Sequence, residues 1–409
     1  MRGAASTRMR QDRGMDSGTQ RAWSWHKQGL DGSLAGQDAG QVLGQAGWAR
    51  SVGGANPYLT LFSRAGIRRE QADADVAALR IHELPTARGC TYVLGAGDFA
   101  WALALGRDAA EAQAKLMDKL EVPRAELAAL EDAVLRVLGS GVEPGADGRS
   151  ALDPKELKDR LGGAVRSLGE AGKKKGASTT LPAALGLLQA DGRVRRVPVN
   201  GRLDQQRYAY TAWGLEASAL TPEQTRARLM ERYLGWTGGA TLKQTQWFTA
   251  FTVAQTKAAL ADAGAVEACG LWMLPADADA RQNFRAPAEE QIQLLAGSDS
   301  LFLLRRNAAD HFAEADQGRQ LGSARLALQA DLPDHPIVDR GRIIGLWQYD
   351  PGEERIAHWL FNAPTNAVTH RIKEVEAFIR EDLGDFRSFS LDSPSSRQQR
   401  INALNTANS

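Results

Sequence analysis

The first hundred residues alternate apolar and polar positions at helical spacing in two stretches, residues 37–49 and 70–79. The segment NPYLTLFSRAG between them is apolar. Further along, CTYVL is β-prone, and Asp98 can cap a helix FAWALAL. Helix, helix and short strand in this order predict a first winged-helix unit.

A second unit has a clearer pattern. Helices are predicted at about 108–119, 123–138 and 153–161, and LPAALGLLQADG forms the next one. Two β-prone runs, RVRRVPV and RYAYTAW, then flank Asn200-Gly201, a strong turn dipeptide. A helix-turn-helix followed by a hairpin is typical of a winged helix.

The third unit starts with the helical segment PEQTRARLMERYLGW. Two short helices, TLKQTQWFT and VAQTKAALADAG, have the length and punctuation of a helix-turn-helix. VEACGLWML supplies a strand. The three units share an order of elements, and they show no detectable sequence repeat.

The pattern changes after residue 282. LFLLRR, HPIVDRGRIIGLWQYD and RIAHWLFNA read as strands, and NAVTHRIKEVEAFIREDLGDF reads as a charged helix. The fold class is therefore mainly α with small β wings (α+β). The predicted parts are a disordered leader (1–25), three tandem winged-helix units (26–107, 108–219 and 220–281), a C-terminal α+β region (282–390) and a mobile tail (391–409).

Composition removes several classes of protein. The 409 residues are 43% hydrophobic and 24% charged, as in ordinary globular proteins. Two distant cysteines and six scattered histidines offer no disulfide framework and no ligand spacing for a metal. We therefore expect no metal and a reducing cytoplasm. No apolar run approaches the roughly 20 residues that a membrane segment needs, so we expect none. The net charge of +1 does not indicate a nucleic-acid partner, so any DNA-binding charge must be concentrated on one face.

Helix-turn-helix units and wings make double-stranded DNA the expected partner. Cationic side chains on wings contact phosphates without reading sequence. The candidate DNA-binding residues, each of which could instead be solvated or packed in the core, are Arg64, Arg88, Arg193, Arg195, Arg202, Lys243, Gln244 and Tyr58. Arg88 could pair with a phosphate or join two elements in an ion pair, and Tyr58 could wedge between bases or pack inward.

Three segments resemble the winged-helix DNA glycosylases of the AlkZ/YcaQ type: RIHELPTARGCTYVLGAGDFAWAL, GWTGGATLKQTQWFTAF and HPIVDRGRIIGLWQYDP. The resemblance covers roughly residues 26–390. It implies excision of alkylated or crosslinked bases by a monofunctional glycosylase without a cofactor. The catalytic Gln-x-Gln or Gln-x-Asp segment of the family corresponds to Gly54, Ala55 and Asn56 here.

This correspondence makes Asn56 the candidate catalytic residue, through an amide that could position water. Asn before Pro is also a common turn choice, because its side chain bonds to local backbone. We accordingly expect a monomeric, nucleoid-associated DNA repair glycosylase. The alternative is a DNA-binding regulator or damage sensor without catalysis, and a further one is a set of winged helices that bind protein.

Overall fold

The computed structural model describes residues 16–139, 151–204, 207–332 and 334–407. It is a mixed α and β structure in which helix predominates. Within these ranges no helix is long and apolar enough to cross a membrane.

The first part of the chain contains a small three-stranded sheet. Asp38 begins the second helix with a capping box to Gln41, and Gly66 ends the third in the left-handed region. The sheet has the order β1-β3-β2, with Ala49 opposite Val93. The elements are α1 (Ser17–Lys27), α2 (Ala39–Ala46), β1 (Ala49–Arg50), α3 (Asn56–Ala65), α4 (Arg69–Ala77), β2 (Ile81–Pro85), β3 (Thr91–Gly95) and α5 (Phe99–Leu105).

The second part consists of helices followed by a two-stranded hairpin. Asp153 caps α8 together with Glu156, and Pro154 follows in the first turn. A bridge between Leu152 and Tyr210 adds a third strand position to the β4–β5 hairpin. The elements are α6 (Arg107–Asp118), α7 (Arg124–Gly139), α8 (Pro154–Leu161), α9 (Gly169–Lys173), α10 (Leu181–Ala190), β4 (Val194–Pro198) and β5 (Tyr208–Ala212).

The third part begins each of its helices with the same sequence signal. Thr221, Thr241 and Thr252 each form a capping box with the glutamine three residues later. A bridge joins Ala240 to Trp272 beside the hairpin. The elements are α11 (Pro222–Thr237), α12 (Leu242–Thr249), α13 (Val253–Asp262), β6 (Val266–Ala268) and β7 (Leu271–Met273).

One arrangement thus occurs three times. A helix leads to a short strand or bridge, two helices follow in the first and third parts and α8, α9 and α10 in the second, and a hairpin comes next. In each case the early strand residue pairs with the last strand, as in Ala49 with Val93, Leu152 with Tyr210 and Ala240 with Trp272. Most of the predicted helices and the β4–β5 hairpin are confirmed.

The C-terminal region is built on a four-stranded sheet of order β13-β12-β11-β8. Its Ile337 and Trp347 share one hydrophobic core with Leu43 and Leu61 of the first unit. The elements are α14 (Pro275–Asn283), β8 (Ile292–Leu294), α15 (Ser300–Leu303), β9 (Gln320–Leu321), β10 (Ala324–Arg325), β11 (His335–Asp339), β12 (Arg342–Asp350), β13 (Arg355–Leu360), α16 (Asn366–Phe378), which runs into a π-helical turn at Ile379–Leu383, and α17 (Pro394–Ala407).

Two local predictions of strands were wrong. The first three residues of LFLLRR belong to the helix α15, because the Asp299 carboxylate accepts a hydrogen bond from the Leu301 N–H and caps it. VEACGLWML is two strands, because Cys269 and Gly270 adopt positive φ and turn the chain.

Asp98 precedes α5, but its side chain makes no cap. The buried carboxylate instead accepts the indole N–H groups of Trp48 at 3.0 Å and Trp101 at 3.1 Å, and Arg232 Nη2 at 2.9 Å. The predicted cap is therefore corrected to a contact that joins the first and third units.

Both predicted mobile ends contain packed helix. Trp23 and Trp25 of α1 are buried, and residues 1–15 of the predicted leader lie outside the described residues. In the predicted tail, Arg397, Ile401 and Leu404 of α17 are buried against the C-terminal sheet. Apolar side chains at positions 401 and 404 lie on one face of the helix, which explains the packing.

Candidate nucleic-acid interface

Residues 51–56 connect β1 to the start of α3. They include residues 54–56, which correspond to the catalytic segment of the AlkZ/YcaQ-type glycosylases. Asn56 is only 2% exposed. Its Nδ2 donates to the carbonyl oxygen of Arg50 at 2.9 Å, and its Oδ1 is 3.4 Å from Thr60 Oγ1. The amide of Asn56 thus ties the loop to the start of α3.

A segment near the C-terminus, which we call the strap (residues 385–392), lies on this loop. The Ala55 N–H donates to the carbonyl oxygen of Arg387 at 2.9 Å, and the Ser390 N–H donates to that of Val52 at 3.1 Å. A Cβ atom at position 54 would lie 2.4 Å from the carbonyl oxygen of Ser388. The strap therefore leaves no space for a side chain at position 54, and glycine is the residue that fits there.

His335 is hydrogen-bonded to Ser388 of the strap. Its Nδ1 accepts the Gly297 N–H at 3.0 Å, so in the neutral ring Nε2 carries the proton and donates to Ser388 Oγ at 3.2 Å. Burial, followed by the charges of Arg400 and Arg397, lowers the pKa of His335 to about 3. A ring with this tautomer cannot accept the proton of Ser388, so the pair is structural.

Glu83 lies on β2 directly behind the loop and is 4% exposed. Its Oε2 accepts Ser51 Oγ at 3.1 Å, and Tyr208 of the second unit donates to both carboxylate oxygens at 3.0 and 3.1 Å. Arg196 Nη1 lies 3.9 Å from Oε1. Burial raises the pKa of Glu83, whereas the charge of Arg196 and the hydrogen bonds from Tyr208 and Ser51 act in the opposite direction.

Glu83 is not among the site residues predicted from the sequence. The available signal was a carboxylate within the strand IHELP, whose five positions are otherwise almost all buried. A buried carboxylate needs partners, and the sequence does not show that Tyr208 and Arg196 supply them from another unit.

Arg64 does not reach the surface. Its guanidinium forms two short bonds with Asp299, Nη1 to Oδ2 at 2.9 Å and Nη2 to Oδ1 at 2.8 Å, and it is buried with that carboxylate. The Nε–H donates to the carbonyl oxygen of Gln28 at 2.9 Å. With these donors engaged inside the protein, Arg64 joins α3 to the start of α15 and has no access to a phosphate.

Tyr58 is buried as well, at 1% exposure. Its hydroxyl donates to Asp73 Oδ1 and accepts the Leu203 N–H at 2.9 Å. Burial raises its pKa, and the neighbouring Asp73 adds to the effect. Tyr58 therefore binds the second unit's hairpin loop and is not placed to wedge between bases.

Arg88 lies at the tip of the β2–β3 connection, exposed and with a φ of 62°. Its guanidinium carbon is 4.0 Å from the ring centroid of Trp247 on α12, and that of Arg306 is 5.4 Å from the same ring. A cation that lies over the face of an aromatic ring is attracted to the ring electrostatically. The tip of the first hairpin thus rests on the third unit with its charge open to solvent.

The three arginines predicted for the second wing have different surroundings. Arg193 is exposed, whereas Arg195 is 8% exposed. Arg202 Nε donates to Asp204 Oδ1 at 2.9 Å, and its Nη2 donates to the carbonyl oxygen of Leu383 at 3.0 Å. Arg202 therefore docks the hairpin onto the C-terminal region, and only Arg193 of the three presents its charge to solvent.

On α12, Lys243 is exposed and Gln244 is half-buried. The Gln244 side chain accepts the Thr241 N–H at 2.9 Å in the capping box. Its amide oxygen is therefore engaged at the helix start, while the amino group of Lys243 projects from the surface.

Arg88 lines a cleft of about 660 Å³ to which all three units contribute residues. Arg88 comes from the first unit, Gly192 from the second, and Phe251 and Gln255 from the third. Arg193 follows Gly192 directly. Asn56, Tyr58, Arg64 and Arg202 lie instead at internal contacts between the first unit, the second hairpin and the C-terminal region.

Comparisons with known proteins agree with this architecture. A search of curated protein sequences finds no match. A DNA glycosylase AlkZ from Streptomyces sahachiroi has a similar structure, with a TM-score of 0.65 and 17% sequence identity, over 92% of this chain and 98% of that one. The family model for DNA glycosylase AlkZ-like proteins matches residues 34–379. The chain therefore belongs to the AlkZ-like family of DNA glycosylases.

Proposed function

We propose that this protein binds damaged double-stranded DNA through three winged-helix units and hydrolyses the N-glycosidic bond of alkylated or crosslinked bases. The observation that carries the proposal is the Glu83 carboxylate, bonded to Ser51 of the loop at 3.1 Å. Family membership supplies the reaction class. We further propose a monomer that acts in the cytoplasm on nucleoid DNA.

The chemistry requires a negative group near the sugar. Cleavage of an N-glycosidic bond passes through an oxocarbenium-like state, which a carboxylate stabilises while it orients the attacking water. Ser51, Tyr208 and Arg196 contact Glu83 and none of them is an amine, so water is the nucleophile we propose. The reaction would then be monofunctional, without strand cleavage.

Access to Glu83 depends on the second hairpin. Tyr208 and Arg196, which cover the carboxylate, are each partly exposed. We infer that the β4–β5 hairpin shifts when DNA binds and brings the sugar to Glu83. Asn56 acts in this scheme as a positioning residue, since its bond to the Arg50 carbonyl oxygen fixes the loop that carries Ser51.

DNA would lie across the cleft between the units. Arg88, Arg193 and Lys243 are exposed and form no ion pair with the other described residues, so their charges are available to phosphates. Arg64, Arg202 and Tyr58 are excluded from this surface by their internal bonds. Arg195 is buried, and the amide oxygen of the half-buried Gln244 is engaged in the cap of α12, so neither is a leading candidate for a phosphate contact.

A second candidate function is DNA recognition without cleavage. The observation that favours it is the strap, which leaves no room for a side chain at position 54. In this case the protein would serve as a sensor of damaged DNA or as a regulator.

A single-turnover assay on a duplex with one N7-methylguanine tests both candidates, with abasic sites revealed by alkali. Glu83→Gln should lower the rate roughly 100- to 1000-fold, and Asn56→Ala should lower it less. Glu353→Gln, at an exposed turn, is the matched control and should match the wild type.

Binding of the duplex without any abasic site in the wild type would favour the second candidate. Excision by a folded Glu83→Gln variant at the wild-type rate would exclude Glu83 from the chemistry while leaving the glycosylase assignment intact.

A further inference from the structure

A second cavity, of about 550 Å³, lies away from the cleft described above. Helix α1 forms one wall, and the start of α12, the tip of the β6–β7 hairpin and the segment 305–317 form the others. Three arginines line it, namely Arg21, Arg281 and Arg305. The cavity therefore collects positive charge from three separate parts of the chain.

None of these arginines has a carboxylate partner among the residues that the structure describes. Arg305 donates to Ser24 Oγ at 2.7 Å and to the carbonyl oxygen of Gly239 at 2.8 Å. Arg281 donates to Gln20 Oε1, and Arg21 Nη1 lies 3.5 Å from the carbonyl oxygen of Phe312. The acceptors of these hydrogen bonds are all neutral, and Asp310 acts on Arg21 and Arg305 only electrostatically, without an ion pair.

Arg64 and Arg397, whose side chains are fully buried, have different partners. Arg64 pairs with Asp299 at 2.8 Å, and Arg397 pairs with Asp385 at 2.8 Å. A buried cation is normally paired, because removal from water is costly. The unpaired cluster is therefore an exception that calls for a negatively charged ligand.

Arg281 is the most buried of the three arginines, at 8% exposure, whereas Arg21 and Arg305 are half-buried. The three side chains therefore keep their charges at or just below the surface of the cavity, where a ligand can reach them.

The carboxylates around the cavity limit the ligand's charge. Asp310 and Glu314 line the cavity and are exposed at its rim. Three arginines against two exposed carboxylates favour a ligand with one or two negative charges. The volume exceeds that of a bare phosphate ion and falls in the usual range for small-molecule sites.

We propose that this cavity binds a phosphate ester, with Arg21, Arg281 and Arg305 holding the phosphate. Guanidinium groups match the oxygens of a phosphate with two parallel hydrogen bonds. The ester comes either from a free nucleotide or from the backbone of a DNA strand. Arg21 precedes the residues that match the family, 34–379, whereas Arg281 and Arg305 lie within them. Binding at this site does not depend on glycosylase activity.

Thermal unfolding at constant ionic strength tests the site with three probes: inorganic phosphate, thymidine 5′-monophosphate and a 20-base-pair undamaged duplex. We expect phosphate and the nucleotide to raise the Tm of the wild type by a few degrees relative to chloride. Arg281→Gln should abolish the rise, whereas the control Arg285→Gln, at an exposed site nearby, should keep it.

The duplex distinguishes the two sources. A rise in Tm with the duplex that Arg281→Gln removes assigns the site to the DNA backbone, and a rise confined to the nucleotide assigns it to a free ligand. Equal Tm values in phosphate, nucleotide, duplex and chloride would overturn the proposal.

Cys269 gives a second readout that does not require a stable arginine variant. It lines the same cavity and is exposed, and Cys90 is the other cysteine of the chain. In a Cys90→Ser variant, thymidine 5′-monophosphate should slow maleimide labelling of Cys269 several-fold. An unchanged labelling rate at a nucleotide concentration that raises the Tm would place the binding elsewhere and overturn the proposal.

Discussion

The N–H of Ala55 donates to the carbonyl oxygen of Arg387, 2.9 Å away, so the loop before α3 is hydrogen-bonded to a segment near the other end of the chain. Both partners are backbone atoms, and the bond is therefore independent of the side chains at positions 55 and 387. The requirement on sequence falls instead on Gly54, beside the strap.

Gly54→Ala should destabilise the protein. The added Cβ would lie 2.4 Å from the carbonyl oxygen of Ser388, so the strap must shift, and overpacking of this kind costs about 1–3 kcal/mol. Urea unfolding measures the loss. Gly44→Ala is the control: no atom lies within 4 Å of its added Cβ, and within helix α2 it should gain about 0.5–1 kcal/mol. Equal stabilities of the two variants would contradict the close contact.

Asp98→Asn should lower the free energy of unfolding by about 3 kcal/mol, because it leaves buried donors and Arg232 without their charged acceptor. The carboxylate accepts Trp48 Nε1 at 3.0 Å and Arg232 Nη2 at 2.9 Å. Urea unfolding followed by tryptophan fluorescence measures the change. Glu231→Gln, on the exposed side of α11, should leave stability nearly unchanged. A wild-type midpoint for Asp98→Asn would show that the contact contributes little.

Stability should fall as the pH decreases from about 7 to 5. Burial lowers the pKa of His335 from 6.5 to about 3 and that of His311 from 6.5 to about 4. Below pH 6.5 these two histidines are protonated in the unfolded chain and remain neutral in the folded protein. Each histidine therefore lowers the free energy of unfolding by about 2 kcal/mol at pH 5. Above pH 6.5 the folded state keeps its full stability.

His335→Asn checks this, since asparagine Oδ1 can still accept the Gly297 N–H. Urea unfolding between pH 7.5 and 5 should show a weaker pH dependence in this variant. His370→Asn, whose histidine side chain is 76% exposed, should keep the wild-type dependence. Identical pH dependence in all three proteins would rule out His335 as a contributor.

Arg88→Gln should weaken binding of a DNA duplex and reduce the dependence of log K on log salt by about 1, as for one lost phosphate contact. Arg88 is exposed over Trp247, with its charge facing the cleft. Fluorescence anisotropy at several salt concentrations measures both quantities. Arg355→Gln, exposed at the start of β13, should leave them unchanged. An unchanged salt dependence for Arg88→Gln would remove Arg88 from the proposed interface.

Local signals in the sequence were enough to predict most helices and the β4–β5 hairpin. The threonine–glutamine caps of α11, α12 and α13 are contained within four residues each. LFLLRR was ambiguous, because a short apolar run fits a buried strand and a buried helix equally well. The cap at Asp299 decides between the two.

The roles of single residues were harder to predict, because they depend on partners far along the chain. Arg64 has the appearance of a free cation in the sequence, and its partner Asp299 is 235 residues away. Asp98 stands where a residue that caps a helix would stand, but its carboxylate accepts hydrogen bonds from Trp48 and Arg232 instead. Glu83 was missed for the same reason, since Tyr208 is 125 residues away.

The hydrogen bonds to the strap also determine when the loop before α3 becomes covered during translation. Val52 and Ala55 are synthesised long before their partners Ser390 and Arg387. The loop of the first unit therefore remains without these two hydrogen bonds on the nascent chain until residue 390 has left the ribosome. A chain truncated before residue 385 would lack the strap and keep this loop uncovered.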